Sequence, residues 1–197
     1  MSALESFRLD VPRTALVVTD PQVDFLSPKG AIWRVVGESV ERNNTVENIE
    51  RLLKAARQAN MVVAVSPHYY YASHHRWGFG GPLEKLMDRV GLLDRAPLTA
   101  AESDSSGADV LPQFKPYLLD RKTIVVAPHR VYGPGNEELA WRLRGYRVGQ
   151  VILAGMSANL CVESHLRALL ESGSRWLSSR TRPRPPPWLR RTAIRRR

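Results

Sequence analysis

The sequence predicts an α/β fold, a doubly wound (Rossmann-like) parallel sheet with helices on both faces. Three observations carry that expectation. Short continuous apolar runs recur, each of a length that suits a strand buried on both faces. Segments with apolar residues at helical spacing lie between them. The runs end on an acid, imidazoles, a guanidinium and a thiol, and sheets of this kind bind ligands beyond the carboxyl ends of their strands.

In chain order, Thr14–Thr19 reads as the first strand and ends at Asp20. Residues 43–59 read as a helix, with Val46, Ile49, Leu52, Leu53 and Ala56 on one face. Residues 61–65 form the second strand, which runs on to His68. Residues 66–121 read as loops around a short helix at 83–90. The third strand, 123–127, leads to His129 and Arg130, and a helix follows at 137–143. The fourth strand, 151–154, runs into a helix at 159–172 that closes on Gly173, with Ser157 or Asn159 as its N-cap. Right-handed crossovers then make the sheet parallel.

The net charge of +10 over 197 residues invites a nucleic-acid or membrane reading. From residue 174 onwards, however, there are nine Arg and no Lys, Asp or Glu. Taking those nine from the 29 basic residues leaves 20 against 19 acidic ones, so the body is nearly neutral. The chain divides into a domain at 1–173 and an Arg/Pro-rich tail at 174–197, expected to be disordered. No apolar run approaches a membrane span and the N-terminal stretch lacks a signal-like apolar region, so a cytoplasmic protein is expected.

Cys161 is the single cysteine, so it is a packed core residue or a working thiol. Its place in the first turn of a helix favours the second reading, because unpaired amides and the helix dipole there favour a thiolate. The same amides can hold an oxyanion. A carboxylate such as Asp20 can take the thiol proton.

Asp20-Pro-Gln-Val-Asp-Phe25 and Gly155-Met-Ser-Ala-Asn-Leu-Cys161-Val-Glu-Ser resemble motifs of the isochorismatase-like cysteine hydrolases, relatives of nicotinamidases and N-carbamoyl amide hydrolases. The resemblance implies an Asp–Lys–Cys triad that hydrolyses small amides through a thioester. It implies Asp20 as general base, Cys161 as nucleophile, a cis peptide at Met156–Ser157, and the backbone N–H groups of Ser157 and Cys161 as oxyanion donors. Isochorismatases in the family can lack the cysteine, so its retention implies an amide substrate.

The chain has no Lys where the family lysine follows the third strand. It reads Val126-Ala-Pro-His-Arg130-Val-Tyr132, and Arg130 is the candidate, with Ala127 there under another gap choice. His68 and His74 match the spacing of the metal-dependent nicotinamidases, but Ser66 stands where their Asp ligand would be. No metal and no cofactor are therefore expected. Phe25, Trp33, His68, Tyr70, Trp77 and Tyr132 are candidate substrate-binding residues, though core packing explains the aromatic ones as well. A small-molecule amide is the expected partner, with neither specific nucleic acid nor membrane, and the resemblance implies a homo-oligomer.

After Gly173 the family leads into another strand, which this chain lacks. Codons for such a strand, read one base later, encode the run 174–186, so the tail is expected to be a frameshift product. On that expectation the sheet lacks its last strand and activity is impaired. The rival reading is a non-catalytic protein whose Arg-rich tail binds nucleic acid or anionic membrane. It draws on the tail alone.

Overall fold

Six consecutive buried residues, Thr14–Thr19, make β1 the central strand. Its side chains alternate between two cores, which is why the run shows no polar alternation. Leu16 and Val18 face one core; Ala15 and Val17 face the other. The computed structural model describes residues 9–71, 81–95, 106–133, 137–173 and 175–178.

Beyond β1 the chain forms α1 (Val23–Leu26), α2 (Trp33–Arg42) and α3 (Thr45–Gln58), then β2 (Val62–Ser66). A small pair follows, β3 (Tyr70–Tyr71) and β4 (Asp94–Arg95), with α4 (Pro82–Arg89) between them in sequence. Then come α5 (Lys115–Leu118), β5 (Ile124–Val125), α6 (Glu138–Gly145), β6 (Gln150–Gly155), α7 (Cys161–Glu171) and β7 (Arg175–Ser178). The main sheet runs β5-β2-β1-β6-β7, and every pairing in it is parallel.

Helices cover both faces, as expected. Val40 of α2 and Ile49 and Leu53 of α3 pack with Leu16 and Val18. Leu139 and Leu143 of α6 and Leu169 of α7 pack with Ala15 and Val17. Each such buried Leu stabilises by roughly 1.5–3 kcal/mol relative to an exposed one. The helix α2 was not expected from the sequence. Gly37 in its middle weakens the local signal, but a Cβ there would strike the Trp33 indole, so this glycine lets the ring lie against its own helix. Packing overrides propensity here.

The expected absence of a last strand is corrected at four residues. Arg175–Ser178 pairs in parallel with β6, from Gln150↔Arg175 to Leu153↔Ser178. The open edge of β6 offers unpaired backbone groups, and the first extended segment after α7 takes them whatever its side chains are. The rest of the tail lies outside the described residues. Among the described residues, no helix is long and apolar enough to cross a membrane.

Candidate active site

The parallel sheet brings the carboxyl ends of β1, β2 and β6 side by side, and the chain leaving each end carries a titratable group. Asp20 follows β1 with a positive φ of 51°, in the left-handed region that Asp tolerates better than most residues. Its N–H donates to the Ser66 carbonyl at 3.2 Å, which ties it to the end of β2. At the end of β6, Gly155 has φ 126°, and a Cβ there would overlap the Thr19 carbonyl. Only glycine lets β6 approach β1 so closely just before the nucleophile turn. The Met156–Ser157 peptide is cis, where the resemblance puts it.

His68 is fixed through its backbone by a side chain that the sequence reading quoted but assigned no role. Gln22 is fully buried. Its amide donates to the carbonyls of His68 at 2.6 Å and Ala108 at 2.7 Å, and its Oε1 accepts from the His68 N–H at 2.9 Å. Beyond β5, the Val126 N–H donates to the Val65 carbonyl and the His129 N–H to the Pro67 carbonyl at 3.0 Å. That extends the pairing with β2 and carries His129 to the rim.

Asp20, His68, His129 and Cys161 meet there, all buried. One donor atom from each lies within 4.8 Å of the others. Asp20 Oδ1 accepts from His129 Nε2 at 2.7 Å, and His129 Nδ1 donates to the Arg130 carbonyl at 2.9 Å. Both ring nitrogens thus face acceptors, which favours an imidazolium. Burial works to lower this group, but the Asp20 charge, its hydrogen bond and the Arg130 carbonyl together hold it above the ordinary histidine range. Asp20 Oδ2 has no hydrogen-bond partner among the described residues.

The Cys161 sulfur lies within 4.8 Å of an Asp20 carboxylate oxygen, and the backbone N–H groups of Ser157 and Cys161 lie close enough to favour its thiolate form. The expected low thiol pKa is corrected. Burial, then the charge of Asp20 beside it, push the thiol up, and the two amides offset this only in part. The N-cap expectation is corrected as well. The helix α7 begins at Cys161, with Leu160 as N-cap and no side-chain cap bond. The carbonyl of Ser157 instead accepts from the N–H groups of Leu160 and Val162.

Arg130, the candidate for the third catalytic position, is exposed, and its backbone pairs with Gly133. The side chain against Asp20 is that of its neighbour His129. His129 stands beside Arg130 beyond the third strand in the sequence, with no role expected for it there. His165 was missed as well. Its Nδ1 donates to the Cys161 carbonyl at 2.7 Å and its Nε2 pairs with the Ser66 hydroxyl at 2.9 Å. Burial and the nearby His129 push the ring down to about 4. The signal was available, since residue 165 lies one helical turn beyond Cys161. The Ser66 hydroxyl is spent on this bond, so a nicotinamidase-type metal trio at residues 66, 68 and 74 does not fit; His74 lies outside the described residues.

Of the remaining candidates, the side chain of His68 bonds through Nε2 to the Tyr70 hydroxyl at 2.8 Å. Burial pushes the ring down to about 4 and Tyr70 up to about 12. Phe25 is buried in the core with Leu16, and Trp33 packs half-buried against the same core. Tyr132 is exposed and donates to Glu84 at 3.3 Å. Trp77 lies outside the described residues.

These features meet known proteins at several points. The family model for the isochorismatase domain matches residues 14–176. The ureidoacrylate amidohydrolase RutB of Variovorax paradoxus (strain S110) is 28% identical over 167 residues, covering 83% of this chain and 65% of that protein. Its counterpart from Serratia proteamaculans (strain 568) is 26% identical over 158 residues, covering 78% and 62%. The chain thus spans slightly under two thirds of these relatives. Among solved structures, a cysteine hydrolase from Pseudomonas syringae pv. phaseolicola 1448A superposes with a TM-score of 0.66 at 22% identity, covering 90% of this chain and 75% of that one. The pyrazinamidase of Pyrococcus horikoshii, in complex with zinc, gives 0.53 at 19% identity, covering 83% and 81%. These two likenesses concern the fold. The match across residues 14–176 assigns membership: this chain belongs to the isochorismatase domain family.

Proposed function

We propose that this protein hydrolyses the C–N bond of a small amide or ureido compound through a thioester on Cys161. The observation that carries the reading is the buried Asp20 carboxylate. One oxygen is held by His129, the other has no hydrogen-bond partner among the described residues, and the Cys161 thiol lies against it. A thiol whose proton is held this tightly needs a base at the moment of attack, and Asp20 is in reach.

In the proposed sequence, the Cys161 sulfur attacks the amide carbonyl carbon as its proton passes to Asp20. The carbonyl oxygen becomes an oxyanion, held by the N–H groups of Ser157 and Cys161. The intermediate collapses, the C–N bond breaks, and the leaving nitrogen takes the proton back from Asp20. Water then attacks the thioester, giving its proton to Asp20, and the thiol is regenerated with release of the acid. His129, as an imidazolium, supplies the positive charge that the family places on lysine. The curated relatives are ureidoacrylate amidohydrolases, which supports a ureido group as the first substrate class to try.

The test is ammonia release by the full chain from a panel of small ureido acids and primary amides. Expected is turnover that iodoacetamide blocks and that Cys161→Ser lowers by about 10³-fold or more. An acyl adduct on Cys161 should appear by mass spectrometry of the quenched reaction. Turnover that survives Cys161→Ser, or an unmodified Cys161 during turnover, overturns the thioester.

A further inference from the structure

We infer that the rim cluster is also a binding site for a thiophilic divalent cation, Zn²⁺ by its donor set, and that its occupancy switches the hydrolase off. The inhibition rests on the function proposed above; the binding does not.

Asp20, His68, His129 and Cys161 offer one carboxylate oxygen, two imidazole nitrogens and one sulfur, all within 4.8 Å of one another. Zn²⁺ takes such ligands at about 2.0–2.3 Å, which sets tetrahedral neighbours roughly 3.3–3.8 Å apart. The widest pair in the cluster therefore closes by about 1 Å on binding, within the reach of side-chain adjustment.

The second nitrogen of each ring points the same way. A metal-bound histidine almost always gives its other N–H to an acceptor, which fixes the ring and its tautomer. His129 Nδ1 already donates to the Arg130 carbonyl at 2.9 Å, which turns Nε2 towards the cluster. His68 Nε2 is held by the Tyr70 hydroxyl at 2.8 Å, which leaves Nδ1 for a metal.

Two of the donors are also unspent. Asp20 Oδ2 and His68 Nδ1 have no hydrogen-bond partner among the described residues, in side chains that are 0% and 1% exposed. A buried polar atom left in that state calls for a reason. The thioester chemistry uses Asp20 Oδ2 but gives His68 Nδ1 nothing to do.

Coordination then decides the sign of the effect. Catalytic zinc sites keep one position open for water, whereas four protein ligands close the tetrahedral shell. Here the shell would take both the nucleophile and its base. The thiol proton of Cys161 and the Nε2 proton of His129 leave to solvent on binding, and no position remains for an activated water.

The test is a Co²⁺ titration of the full chain after dialysis against a chelator. Expected are a thiolate-to-cobalt charge-transfer band and tetrahedral d–d bands that saturate at one equivalent and are bleached by Zn²⁺. Zn²⁺ should slow alkylation of Cys161 by iodoacetamide at least ~10-fold, a readout that needs no variant. His68→Ala should weaken Zn²⁺ affinity by ~10–100-fold in competition with a chromophoric chelator. Absence of the charge-transfer band, an unprotected Cys161, unchanged affinity in His68→Ala, or faster turnover with Zn²⁺ each overturns the proposal. If the metal-free chain turns over no amide, the hydrolase reading fails while the cobalt spectrum still decides the binding.

Discussion

The two ends of β1 are both polar and both buried, yet they are built on opposite terms. At the amino end, the Thr14 hydroxyl donates to the Asp10 carbonyl at 2.6 Å and the Asp10 N–H donates to Gln150 Oε1 at 2.9 Å. Those are neutral groups with ordinary partners. At the carboxyl end, an acid, three histidines and a thiol crowd together, with ring centroids of His68 and His165 at 4.6 and 4.8 Å from that of His129. Asp20 Oδ2 and His68 Nδ1 there lack partners among the described residues. Burying ionisable groups without full compensation costs stability. Uncompensated burial at one end of a strand and its avoidance at the other agree with the chemistry proposed for the first end.

Substitutions along β1 and its flanks can break that contrast. The largest effect is expected for Asp20→Asn, which keeps the shape but removes the proposed base. Hydrolysis should fall ~10³-fold, equivalent to about 4 kcal/mol of barrier, with the far-ultraviolet circular dichroism unchanged. Residual activity within tenfold of wild type would remove Asp20 from the chemistry. Next is Gln22→Leu, which strands the N–H and carbonyl of His68 and the carbonyl of Ala108 inside the protein. About 3 kcal/mol of stability should be lost in urea unfolding. A loss below about 1 kcal/mol would mean that the rim is not held through this side chain.

His129 and Arg130 sharpen the comparison, since they are neighbours with opposite burial. His129→Gln should lower kcat/KM by ~10²-fold, because the charge beside Asp20 is lost. His129→Lys should recover part of that, since it restores a cation. Arg130→Gln should cost less than about threefold, as expected of an exposed side chain. The reverse ranking would return the third catalytic position to Arg130.

The fold was largely legible because β1, β2 and β6 are buried on both faces and so read as plain apolar runs. The segment at 123–127 gave a paired strand of only Ile124–Val125, since the chain leaves the ladder to deliver His129. The places of Asp20, directly after β1, and of Cys161, at the start of the helix that follows β6, were legible because each lies beyond the carboxyl end of a plain apolar run. His129 was hidden by its neighbour. Both stand after the same strand, the family pattern called for a cation, and Arg is the more obvious one. Which of two adjacent residues turns inward is set by pairing with Pro67, a contact between segments about 60 residues apart that no local pattern encodes. Gln22 and His165 were hidden for a related reason. Their partners, His68, Ala108 and Ser66, come from other elements.

The smallest expected effect is at the amino end, and it is the control for all the others. Thr14→Val removes the hydroxyl; the Asp10 carbonyl, which belongs to an exposed residue, is then taken up by water, and Gln150 Oε1, 3.1 Å from that hydroxyl, keeps the Asp10 N–H. The lost bond should cost about 1 kcal/mol in urea unfolding, because its acceptor is not stranded. Turnover should be unchanged within about twofold, a difference of roughly 0.4 kcal/mol in barrier. Thr14 opens β1 and Asp20 directly follows its last residue, and the strand between them is paired along its length with β6 and over most of it with β2. If Thr14→Val lowers turnover by more than its effect on stability can explain, strain travels along β1 and the two ends are not independent. If turnover holds, the carboxyl end works as a separate chemical unit on a passive scaffold, and losses at Asp20, His129 and Cys161 can be read as losses of chemistry.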